Sequence, residues 1–144
     1  MNPPSFEIFN QTDENIPFSG DQLRRLIALV QEYEKRNFLH VEVVFVDDSD
    51  ILEMNRRYLG HDYVTDIITF PYHENDDPVE GTLFCCAPQI RRQSEELDVA
   101  FDTEVLRIVI HGLLHLVGYD DETDSQRSHM HSLENKYITL YLDY

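Results

Sequence analysis

"VIHGLLHLVGYDDETD" (residues 109–124) places two histidines, His111 and His115, in the most apolar run of the chain. Ile110, Leu113, Leu114, Leu116 and Val117 surround them, so the segment reads as a buried helix. At 3.6 residues per turn, positions four apart lie on one face. An imidazole in apolar surroundings needs a partner for each ring nitrogen. One divalent ion bonded at about 2.0–2.1 Å supplies a partner to both rings at once. Gly118 provides a residue that can take the left-handed conformation and end the helix. Asp120 and Asp121 follow, and the pattern H-x-x-x-H-x-x-G-x-x-D lets Asp121 swing back as a third ligand. The alternative is a pair of core histidines held by hydrogen bonds. Helical zinc proteases carry a glutamate base directly after the first histidine, and this chain has Gly112 there.

Outward from this helix, hydrophobic periodicity predicts strands at 5–11, 40–48, 66–72 and 81–88. It predicts helices at 19–38, 48–60, 88–98, 102–118 and 123–142. The expected caps are Ser19 or Asp21 for the first helix, a residue near Ser49 for the second and Asp102 or Thr103 for the histidine helix. Gly60 is expected to stop the second. The order β-α-β-α-β-β-α-α-α implies one α+β domain over residues 1–144, with helices packed on a mixed sheet of about four strands and the metal site on a central helix.

The chain has 144 residues, enough for a self-sufficient core. Its 28 acids against 11 bases give a formal charge of −17, which opposes simple adhesion to nucleic acid or an anionic membrane. No segment reads as a signal peptide, and the run 105–118 is too short to span a bilayer. Cys85 and Cys86 are adjacent and would point to opposite faces of a strand. They read as reduced thiols of a cytoplasmic protein.

The segment "HGLLHLVGYDD" resembles the H-G-x-L-H-L-x-G-Y-D-H signature of the YbeY endoribonucleases, the ribosomal RNA maturation factors. "MNRRYLGHDYVTDIITFP" (54–71) is similar to that family's L-N-x-x-Y-R-x-x-D-x-P-T-D-V-L-S-F-P block, "EGTLFCCAP" to its G-D-I-x-I-S strand, and "HMHSLENKYI" to its M-x-x-x-E helix. The resemblance implies a small α+β domain and a metal-dependent, single-strand-specific endoribonuclease. It would act on ribosomal RNA or the ribosomal particle, at the small-subunit 3′ end and in ribosome quality control.

Three positions depart from the family pattern. Asp121 stands for its third metal histidine, Leu59 for an arginine able to clamp phosphate, and Thr82 for the aspartate of the G-D-I strand. Zinc accepts a carboxylate oxygen at nearly the same distance, so zinc on His111, His115 and Asp121 is the expected cofactor. The catalytic group is then a metal-bound water, with no side chain assigned as base. Arg56 and Arg57 are candidates to replace the lost arginine near the cleft, with Arg91 and Arg92 as further cations. Thr65 and Asp66 match the T-D pair, and either line the cleft or cap the turn before a strand. Glu134 either orients a ligand or is a surface helix charge, Asn55 either holds a loop or is an exposed helix residue, and His61 is expected to lie on the surface. His129 and His131 are two apart on a helix and make a poor chelate. The competing functions are a metalloprotease, a non-haem iron oxygenase built on two histidines and a carboxylate, and a non-catalytic assembly factor in which metal only holds the fold.

Overall fold

The computed structural model describes residues 3–143. Four strands form one sheet in the order β1-β2-β4-β3: β1 (Ser5–Asn10), β2 (Phe38–Val46), β3 (Ile67–Pro71) and β4 (Val79–Cys86). The pairs β1–β2 and β2–β4 are parallel, and β3–β4 is antiparallel. With five helices packed around the sheet, the architecture is the expected α+β domain.

Helix α1 (Gly20–Glu34) begins at Ser19, whose hydroxyl accepts from the Gln22 backbone while the Gln22 side chain accepts from the Ser19 backbone. This reciprocal cap satisfies two amides that the first turn leaves without helical partners. The helix ends four residues before the predicted limit, because Lys35 takes the left-handed conformation (φ 56°). Helix α2 (Asp48–Met54) starts after Asp47 rather than near Ser49, and passes into a π-helical turn (Asn55–Leu59) that Gly60 closes at φ 68°. Helix α3 (Ala87–Leu97) begins with Pro88 in its first turn.

Helix α4 (Phe101–Leu116) starts at Ala100, ahead of the expected Asp102 or Thr103. Phe101 is drawn into the helix because its ring packs on the core and carries the Arg91 guanidinium 4.0 Å above it. Helix α5 (Asp124–Leu142) is capped by Thr123 and Gln126 in the same reciprocal manner as α1.

One face of the sheet carries the main core. Val41, Val43, Phe45, Leu83 and Cys85 pack there against Leu23, Ile27, Val109, Leu113 and Tyr137 from the helices. On the other face, Val44, Val46, Ile68 and Cys86 form a smaller cluster with Ile51 of α2. The adjacent cysteines therefore enter opposite clusters. Both thiols are free, and burial raises both, that of Cys86 to about 12.

Two further contacts fix where α4 ends. Tyr119 and Tyr137 donate hydroxyl hydrogens to the two carboxylate oxygens of Glu34, at 2.6 and 2.5 Å. Arg36 donates to the Val117 carbonyl at 3.2 Å. The end of α1 thus holds the turn that follows the histidine helix.

Candidate metal centre

His111 and His115 project from one face of α4, as their spacing requires. Gly118 then adopts φ 112°, a conformation that side-chain-bearing residues rarely take, and reverses the chain. The reversal brings Asp121 to both rings. The Nε2 atoms of the two histidines lie 3.0 Å apart, and Oδ2 of Asp121 lies 3.2 Å from each. A tetrahedral ion bonded at about 2.0–2.1 Å separates its ligand atoms by about 3.3–3.4 Å. The triangle is close to one face of such a tetrahedron. The spacing and the types of the three ligand atoms fit a divalent cation.

The remaining nitrogen of His111 is also committed. Its Nδ1 meets Oε2 of the buried Glu134 at 2.7 Å, while Arg107 donates to the other Glu134 oxygen at 3.2 Å. With Nδ1 carrying the hydrogen, the Nε2 lone pair is turned toward the triangle. Burial depresses the His111 imidazole, but the Glu134 hydrogen bond and the charges of Glu134, Asp66 and Asp121 outweigh it and hold the ring above its ordinary value.

The triangle opens onto a cleft of about 540 Å³ between α4, β3 and the turns on either side. Leu59, Thr65, Asp66, Ile67 and Asp120 are among its walls. Thr65 and Asp66 therefore face the same space as the histidines, and Asp66 also has a structural part. Its backbone carbonyl accepts from Cys86 at 2.8 Å, and its Oδ2 accepts from Gln93 Nε2 at 3.1 Å. The same Gln93 amide donates to the buried Glu104 at 3.3 Å. Burial raises the Glu104 carboxyl, Asp66 and Glu134 add to the rise, and Gln93 and Arg107 offset part of it.

Gly112 faces the sheet. A Cβ there would lie 2.7–2.9 Å from methyl carbons of Ile67 and Leu83. Gly112 thus stands, tightly packed, where a helical zinc protease carries its glutamate base, which argues against the metalloprotease reading.

The candidate arginines lie elsewhere. Neither Arg56 nor Arg57 is among the residues that line the cleft. From the π-helical turn Arg56 pairs with Asp62, and Arg57 reaches Glu53 and a hollow lined by Tyr58 of the same turn and by Val46 and Phe84 of the opposite sheet face. Arg91 pairs with Glu14 and Arg92 with Asp48, both at 2.8 Å. Leu59, by contrast, is in the cleft wall. His129 packs near Tyr119, and His131 lies 3.9 Å from Glu134, so neither joins the triangle. Asn55 holds its loop, donating to the Tyr63 carbonyl at 2.9 Å.

Gln93 and Glu104 carry no sequence signal for their link to Asp66, because the bridge joins three separate elements. Arg107 has a partial one, since it stands one turn before His111 on α4. A second grouping of possible ligands, Glu7, His40 and Glu42, lies on the strands β1 and β2. Its carboxylates stand 3.9 and 3.7 Å from the imidazole, wider than the α4 triangle and wider than a tetrahedral edge.

The sequence profile described as Endoribonuclease YbeY matches residues 7–141. An Endoribonuclease YbeY from Phocaeicola vulgatus is 43% identical over 100 residues, covering 69% of this chain and 72% of the relative. One from Chlorobium phaeobacteroides is 38% identical over 135 residues, covering 94% of this chain and 96% of the relative. The solution structure of TM1509 from Thermotoga maritima superposes with a TM-score of 0.63 at 29% identity, covering 94% of this chain and 88% of that one. With the match running through every element that builds the histidine cleft, the chain belongs to the Endoribonuclease YbeY family.

Proposed function

We propose that this protein is a zinc-dependent endoribonuclease that cuts single-stranded ribosomal RNA in the cytoplasm, in maturation of the small-subunit 3′ end and in ribosome quality control. The observation that carries the proposal is the triangle of His111, His115 and Asp121, with edges of 3.0 to 3.2 Å, open to a cleft in a chain of this family. A bound ion would supply Lewis acidity toward a phosphate oxygen and a more acidic water. Glu134 holds His111 in the tautomer that presents Nε2. Asp66, fixed by Gln93, places an acceptor across the cleft from the histidines, and Thr65 adds a hydroxyl. Arg56 and Arg57, exposed at the corner that leads to Leu59, attract phosphate on the approach to the cleft.

The test is metal analysis of the purified protein with cleavage of a structured ribosomal RNA fragment, for wild type and His115→Ala. Wild type should carry about one zinc per chain and cut unpaired segments. Chelation should abolish cutting and leave the helical circular dichroism in place. His115→Ala should lose metal and activity together and still fold, because the ring stands at the cleft mouth rather than in the core. Full metal occupancy in His115→Ala, or cutting that survives chelation, would sink the proposal.

One observation favours a second reading, a metal-stabilised assembly factor without catalysis. Leu59 occupies the cleft wall where the family pattern has an arginine. Metal bound at full occupancy with no cleavage of any RNA would support that reading.

A further inference from the structure

The walls of the cleft include Asp66, Asp120, Asp121 and Glu122, and no lysine or arginine among the described residues that line it. RNA entering this space meets no side-chain cation. Something else must hold the strand.

Residues 60–64 run between two members of the cleft wall, Leu59 and Thr65. Their backbone is pinned from below. Gly60 turns the chain, the His61 amide donates to the Asn55 carbonyl at 3.1 Å, and the buried Asn55 amide donates to the Tyr63 carbonyl at 2.9 Å. On this anchored loop the His61 and Tyr63 rings stack, with centroids 5.2 Å apart and planes 16° from parallel. The Tyr63 hydroxyl meets His61 Nδ1 at 3.0 Å. Both residues are exposed, Tyr63 at 55% and the neighbouring Leu59 at 48%. Neither ring belongs to either hydrophobic cluster of the core. A stack of two rings has an outer flat face on each.

We propose that the His61–Tyr63 pair is a stacking platform for unpaired bases of the RNA substrate at the rim of the cleft. The proposal rests on the endoribonuclease reading and specifies how that site holds its strand. Two residues of chain span at most about 7 Å, so a base on Tyr63 lies beside the part of the strand that passes Thr65. Aromatic rings accept any base, because every base has a π-face, and they need that base to be unstacked from a duplex. The platform therefore selects single strands without selecting sequence. It also works on an acidic protein, since stacking does not depend on neutralising phosphate.

The test measures binding and cleavage separately on the metal-loaded full chain. The probes are a fluorescein-labelled RNA octamer, the same octamer with abasic positions, and the octamer annealed to its complement. Wild type should bind the intact single strand about 5-fold or more tightly than the other two. His61→Ala with Tyr63→Ala should erase that preference and raise KM by a similar factor, with the larger loss in KM rather than kcat. Tyr63→Phe, which keeps the ring, should retain the preference. A wild type that cuts RNA but binds abasic and intact octamers equally overturns the platform and leaves the nuclease reading intact. A wild type that prefers intact bases but cuts nothing overturns the nuclease reading and supports the platform. The abasic comparison uses wild type alone, so equal binding there overturns the platform even if the double variant fails to fold.

Discussion

Glu104 is a buried acid whose nearest charged neighbours include two other carboxylates, those of Asp66 and Glu134. Desolvation raises its pKa above that of the unfolded chain, so the folded state holds the proton more tightly. The sign for stability follows. Below the ordinary glutamate value both states are protonated and no penalty arises. As pH rises through the interval between the unfolded and folded values, the unfolded state gains charge freely, and the folded state loses stability relative to it. Glu104→Gln retains an oxygen to accept from Gln93 and removes the charge. Its melting temperature should exceed that of wild type at pH 7, and the gain should vanish at pH 4. Equal melting curves at both values would show that the acid is not penalised. Asp48 has the opposite sign, because the Arg92 hydrogen bond lowers it. The stability it contributes is present above the ordinary aspartate range and is lost as pH falls through the folded value.

Helix α4 joins two demands that usually conflict. One face must bury itself against the sheet, and the adjoining face must keep two imidazoles open to a cleft. Gly112 reconciles them, since the helix approaches β3 and β4 so closely there that a Cβ would meet three methyl carbons at 2.7 to 2.9 Å. Gly112→Val should therefore cost about 1–3 kcal/mol by overpacking, read as a fall in melting temperature of several degrees. Ile67, one of the displaced neighbours, also lines the cleft, so the variant should lose metal affinity together with stability. Unchanged stability would mean that the sheet gives way freely at this contact. The other end of the element depends on α1, whose Glu34 receives both Tyr119 and Tyr137.

Across the whole molecule the charge of −17 sets how RNA is met. Arg56 and Arg57 are exposed and, among the described residues, pair with Asp62 and Glu53, in surface contacts that are worth little and are readily exchanged for phosphate. Each phosphate contact to single-stranded RNA contributes about 0.7 to the slope of log affinity against log salt. Arg56→Ala with Arg57→Ala should weaken binding of single-stranded RNA and reduce that slope by up to about 1.4, leaving metal content and melting temperature unchanged. An unaltered slope would place the phosphate contacts elsewhere. No described helix is long and apolar enough to cross a membrane.

Local sequence was enough for the elements and for the two-histidine face. Helical spacing places His111 beside His115 whatever surrounds them, and Gly118 can be read as a turn because its conformation is local. Asp121 was legible as a ligand candidate for the same reason, lying six residues from His115. The resemblance pointed to Thr65 and Asp66, but not to whether they line the cleft or cap a strand; in the fold both are among the cleft walls, and the Asp66 backbone carbonyl accepts from the Cys86 amide. What only the tertiary structure decided involves residues far apart in the chain. The bridge from Asp66 through Gln93 to Glu104 joins three elements, and the ion pairs of Arg56 and Arg57 are set on a π-helical turn that periodicity does not reveal. The helix starts lie at Asp47 and Ala100, and at Ala100 the packing of Phe101 on the core sets the start ahead of the expected cap. Spacing along one helix is a covalent property of the chain, whereas the direction of an exposed arginine and the partner of a buried acid depend on which surfaces the folded sheet brings together.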